Sequence, residues 1–184
     1  MKETDSHPKD AKQASSCKAF PYFRANPWPL LVMAVVFLLD WVSKEWILRR
    51  TEWGWVHDVI PGFFEWVHVR NTGAAWGMFS QHTWVLALIS LVAFLAILYW
   101  FPVICKGSRW MDLAFSLLLG GIAGNMVDRI FRGYVVDFLS FHWGSHYFPA
   151  FNIADSAITV AVIFVILLTF FEKQPAKEQS GQGK

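Results

Sequence analysis

Residues 83–104 run through apolar side chains without a single charge. A helix of roughly 20 such residues is what the hydrocarbon core of a bilayer requires. That one segment commits the chain to lipid. The composition agrees: of 184 residues, 55% are hydrophobic and 16% charged, and the mean hydropathy is +0.36, too apolar for a soluble domain of this size.

Three more segments have the length to cross. Residues 30–48 are apolar as far as Leu39 and then carry Asp40, Ser43, Lys44 and Glu45; Asp40 and Lys44 can face each other at i, i+4. Their pairing either eases the helix into the headgroups or supports a site. Residues 110–126 end in the small-residue cluster Gly120, Gly121, Ala123 and Gly124, where another helix or a substrate can come close. Residues 154–171 form the last apolar run. The expected architecture is a membrane all-α domain over residues 28–172 with four transmembrane helices, between polar, disordered tails at 1–27 and 173–184. No cleavable signal peptide is expected, because the first apolar run begins only at Trp28 and continues into a longer helix.

Four crossings put both termini on one side. Lys2, Lys9, Lys12, Lys18, Arg24, Lys106, Arg109, Lys173, Lys177 and Lys184, ten of the 16 basic residues, fall in the tails and the loop between the second and third spans. By the positive-inside rule that side is cytoplasmic. Lys44, Arg49, Arg50, Arg70, Arg129 and Arg132 fall on the other, together with most of the tryptophans, so the outer face is expected to work at headgroup level. The outer stretch 49–82 has β propensity at Phe64, Trp66, Val67 and Val69, with breaks at Pro61-Gly62 and Asn71-Thr72-Gly73; a small ribbon is expected there. The net charge of +2 is scattered, which leaves no footprint for nucleic acid. Cys17 and Cys105 lack metal-ligand spacing, and neither a disulfide nor a metal is expected.

Chemistry is expected where acids stand beside lipid, since ionised groups there are costly. Asp128, Asp137 and Asp155 all fall at the outer ends of the last two spans. Asp128 has Arg129 beside it as a partner and reads as structural. Asp137, between Val136 and Phe138, is set to favour its protonated form, and Asp155, in a first helical turn, its anion. Two such acids can share a proton, one activating water and the other protonating a carbonyl. Asn152 reads as a helix cap and Asn71 as a turn residue. His68, His142 and His146 have no HExxH spacing, and no serine stands in a GxSxG or SxxK setting. A proton-coupled transporter is the rival reading, but it wants acids near the midplane and repeated halves, which the chain does not show.

Five blocks, DWVSK from Asp40, NTGAAWGMF from Asn71, GGIAGNMVDR from Gly120, GYVVDF from Gly133 and FPAFNIADS from Phe148, closely resemble lipoprotein signal peptidase, also called signal peptidase II. The resemblance implies a monomeric aspartic endopeptidase of the bacterial inner membrane. It implies prolipoprotein substrates, cut just before a diacylglyceryl-modified cysteine, with membrane lipids around the site and no cofactor. It implies four spans with a small β-cradle and a periplasmic helix. It assigns Asp137 and Asp155 as catalytic, and Asp40, Asn71, Gly121, Asn125, Asp128, Arg129 and Asn152 as supporting or substrate-binding, with Asn71 and Arg129 toward the substrate backbone. Trp41 stands where the family's first block usually has Gln.

Overall fold

A computed structural model describes residues 19–73, 82–105 and 107–172. Cys17, most of the NTGAAWGMF block, Lys106 and the C-terminal tail lie outside the described residues.

Among these residues five helices and four strands follow in the order α1 (Ala19–Ala25), α2 (Trp28–Arg50), β1 (Val56–Ile60), β2 (Phe64–Asn71), α3 (Thr83–Cys105), α4 (Arg109–Phe131), β3 (Val135–Trp143), β4 (His146–Tyr147) and α5 (Ile153–Glu172). Among the described residues three helices are long and apolar enough to cross a membrane: α3, α4 and α5 over Ile153–Phe171. The protein is thus a multi-pass membrane protein. The helix α2 matches α3 and α4 in length, but Asp40, Lys44, Glu45, Arg49 and Arg50 interrupt its apolar run.

The middle of the bundle is α4. Of its most apolar stretch 44% is buried, against 11% for α3 and for α5, whose other faces are left for lipid. Its glycines make this possible. A Cβ on Gly120 would lie 2.8 Å from Val36 Cβ and 2.9 Å from Met33 O, and one on Gly121 would lie 2.6 Å from Ala154 O and 2.8 Å from Ile158 Cγ1. A Cβ on Gly124 would run into the Asp40 carboxylate. The glycine cluster therefore seats α2 on one flank and α5 on the other, and its small size is used up in packing between helices rather than kept open for a substrate.

The sheet is antiparallel, in the order β1-β2-β3-β4. The ribbon expected within residues 49–82 is present as β1 and β2, but a longer strand, β3, completes it from beyond α4. Gly133, at φ +76, makes the turn from α4 into β3, a conformation that L side chains rarely adopt. On its far side β3 is tied to the segment leading into α5: Phe151 donates to Leu139 O at 3.0 Å and accepts from Phe138 and Leu139 N–H at 3.0 and 2.9 Å.

At the opposite end of the bundle, α1 falls in the stretch expected to be a disordered tail. Phe23 is buried against Phe101, with ring centroids 5.0 Å apart, and Tyr22 donates to Asp112 Oδ1 at 2.6 Å. Aromatic burial and one strong hydrogen bond give seven residues enough reason to order, although their sequence has no apolar run.

Candidate active site

Asp137 lies on β3, opposite Val69 of β2, and is 1% exposed. Two asparagines hold its carboxylate. Asn71 Nδ2 donates to Oδ2 at 3.0 Å and Asn152 Nδ2 to Oδ1 at 2.8 Å. Asn71 closes β2, and its own Oδ1 accepts from Gly73 N–H at 3.0 Å, so it is the turn residue expected and a carboxylate ligand as well. Burial, and then the charge of Asp155, push the Asp137 carboxyl up to about 7; the two asparagines and Lys44 pull the other way and lose.

Asp155 enters from α5. Asn152 Oδ1 accepts from Asp155 N–H at 2.9 Å, and Asp155 Oδ2 accepts from Asn152 N–H at 3.3 Å, a reciprocal cap built from an Asn and an Asp three residues apart. The remaining oxygen, Oδ1, accepts from Asn125 Nδ2 of α4 at 2.7 Å. Asn152 is fully buried and also donates to Asn125 Oδ1 at 3.2 Å and Val136 O at 3.3 Å. Strand, cap and central helix thus bring the two acids to one place through Asn152 and Asn125.

Beneath them lies a layer of buried charge. Lys44, wholly buried, sits 2.7 Å from Asp40 Oδ2, 3.1 Å from Asp128 Oδ2 and 2.9 Å from Asn125 Oδ1. Asp40 Oδ1 accepts from Ala154 N–H at 2.8 Å. The Asp40–Lys44 pair is accordingly interior scaffolding, not an adaptation to headgroups. Asp128 also accepts from Val136 N–H at 3.2 Å and pairs with Arg132, which reaches Glu45 at 2.8 Å.

The expected pairing of Asp128 with Arg129 does not occur. Neighbours on a helix point about 100° apart, and the partner one turn on, Arg132, takes the place. Arg129 instead donates to Asn125 O and to Gly73 O, each at 3.4 Å, and leaves its buried Nε without a partner. It acts electrostatically on Asp155, Asp137 and Asp128, so a base stands near both acids although none adjoins either in sequence. The structure brings together Asp137, Asp155, Asn71, Asn125, Asn152 and Arg129; Asp40, Asp128 and Gly121 lie behind them.

Sequence reasoning missed how far Lys44 reaches, and missed Arg132 and Glu45 altogether. A lysine inside an otherwise apolar helix, one turn after an aspartate, was the available signal. Among the described residues no three His, Cys, Asp or Glu side chains gather as metal ligands would. Such a site presents two carboxylates with amide donors fixed around them and a guanidinium at its edge.

A family profile described as Signal peptidase (SPase) II matches residues 32–171. A lipoprotein signal peptidase of Pseudomonas aeruginosa is 39% identical over 164 residues, covering 86% of this chain and 96% of its own. One from Listeria welshimeri is 35% identical over 147 residues, covering 80% and 96%. A solved structure described as a bacterial membrane enzyme superposes with a TM-score of 0.77 at 33% identity, covering 85% of this chain and 96% of that one. The chain belongs to the signal peptidase II family, the aspartic-type lipoprotein signal peptidases.

Proposed function

We propose that the chain cleaves the signal peptide from diacylglyceryl-modified prolipoproteins, just before the modified cysteine, by activating water between Asp137 and Asp155. The reading rests on one observation above all: Asn152 donates to the Asp137 carboxylate and caps the helix turn that carries Asp155, so acids from separate elements meet. With its carboxyl pushed up to about 7, Asp137 carries a proton in about half of the molecules at neutral pH.

In the proposed reaction Asp155 takes a proton from the water as its oxygen attacks the scissile carbonyl carbon, and Asp137 gives its proton to the carbonyl oxygen. The tetrahedral intermediate collapses as the C–N bond breaks. The proton on Asp155 goes to the departing amine of the cysteine, and Asp137 recovers the proton of the intermediate's hydroxyl. Arg129 and Asn71, at the edge of the site, orient the substrate backbone. The helix α2 is taken as a fourth crossing, its charged end buried on α4 and α5. Both termini are then cytoplasmic and the acids stand at the periplasmic face of the bacterial inner membrane, in a monomer surrounded by lipid.

Purified protein with lipidated and unlipidated precursors tests this. Asp137→Asn and Asp155→Asn should each lower kcat by about 10³-fold or more while leaving folded protein, and EDTA should change nothing. Cleavage by Asp155→Asn at the wild-type rate, or equal cleavage of the unlipidated precursor, would sink the proposal.

A further inference from the structure

The asparagine relay around the two acids contains an ambiguity that something must resolve. An amide side chain is nearly symmetric in shape, and Asn125 could in principle present either its oxygen or its NH₂ to Asp155. Presenting oxygen to a carboxylate would be repulsive and would leave a buried donor without an acceptor. The observed orientation, Nδ2 toward Asp155 Oδ1 at 2.7 Å, is therefore worth fixing.

Resting on the catalytic reading above, we infer that Lys44 is a positioning residue for the carboxylate pair, a donor-only cation that locks the Asn125 amide with its oxygen inward and its NH₂ on Asp155. An ammonium has three donors and no acceptor. All three of Lys44's neighbours within reach are oxygens: Asp40 Oδ2, Asp128 Oδ2 and Asn125 Oδ1. The two aspartates hold the ammonium in place, so Asn125 can turn only its oxygen toward it. The second donor onto the same oxygen, Asn152 Nδ2 at 3.2 Å, then has its own orientation fixed, and that same NH₂ is the one on Asp137 Oδ1. One buried charge on α2 thereby sets both amides that define the pair. Lys44 is fully buried and touches neither carboxylate of the pair.

The same placement gives Lys44 a field at Asp137. The charged groups acting on that carboxyl are Asp155 from α5, Lys44 from α2 and Arg129 from α4. Removing the Lys44 charge alone should raise the Asp137 pKa, so a folded Lys44→Met should move the alkaline limb of activity to higher pH, which a purely structural role would not do.

Two charge-balanced pairs, Lys44→Met with Asp40→Asn and Lys44→Met with Asp128→Asn, provide the test, so that one folded member suffices; thermal unfolding reports which are folded. The folded pair should lose about 10²-fold in kcat with KM for lipidated precursor within about twofold. Asn125→Leu should cause a similar loss of kcat, and the losses should fail to add when combined, because both remove one relay. Additive losses, or a folded pair with kcat close to wild type, would overturn the inference. If Asp137→Asn and Asp155→Asn are themselves active, the catalytic reading has failed instead, and the two failures are told apart.

Discussion

Asn152 donates to Asp137 Oδ1 at 2.8 Å with the amide whose oxygen caps α5. Structure and proposed chemistry are joined in that side chain. Asn152→Ala should cost about 1–2 kcal/mol in stability as a lost cap and about 10²-fold in kcat as a lost positioning group. Thermal unfolding and turnover of a lipidated precursor measure the two separately. A stability loss without a kinetic one would reduce Asn152 to a cap.

The proton on Asp137 sets a pH dependence. With its carboxyl up at about 7, kcat/KM should fall on an alkaline limb near that pH, where the pair loses its last proton. Asn71 donates to the ionised form and so lowers this pKa. Asn71→Ala should shift the limb upward by about one unit, since a hydrogen bond to a charged group contributes roughly 1.5–3 kcal/mol and one unit is about 1.4 kcal/mol. Stability carries the matching signature. The folded state holds this proton more tightly than an ordinary aspartate at 3.8, so the contribution is full below that pH and is lost as pH rises through about 7. Unfolding temperatures should show this decline between about pH 4 and pH 7, and a flat profile there would contradict the buried proton.

Gly121→Ala should destabilise by about 1–3 kcal/mol, because its Cβ would meet the backbone oxygen of Ala154, which cannot rotate away. Gly133→Ala has open space and suffers only the positive φ, about 1 kcal/mol. The first should also slow turnover by displacing the start of α5, while the second should not. Unfolding and kcat of the two variants side by side decide it.

Tyr22→Phe removes the 2.6 Å donor to Asp112 at the far end of the bundle. It should cost about 1–3 kcal/mol, as for a hydrogen bond to a buried charged group, and leave kcat unchanged. A kinetic loss would mean that α1 communicates with the acids across the membrane.

The apolar helices were legible because lipid demands long uninterrupted runs, and the three runs of residues 83–104, 110–126 and 154–171 all became helices. The ends were less so: α4 continues past Met126 to Phe131, carrying Asp128 and Arg129 on the helix itself. Strand β3 was hidden because its partner β2 lies more than sixty residues earlier in the chain (Val69 opposite Asp137), and a two-residue alternation blurs when both faces are covered, as the burial of Val135, Val136, Asp137 and Phe138 shows. The acids themselves stood out by their apolar neighbours. Their partners did not, since adjacency in sequence misdirects on a helix: Arg129 beside Asp128 points elsewhere, while Lys44 reaches Asn125 across 81 positions.

The buried cation on α2 also bears on how such a chain is assembled. Asp40 and Lys44 leave the ribosome long before Asn125 and Asp128, the groups that complete their pairing. Until α4 arrives the proposed first crossing has an ion pair with an open side, a weak candidate for lipid by itself. Helix α2 should thus be held at the insertion machinery and released together with α4, so that membrane entry and construction of the floor beneath the two acids are one event.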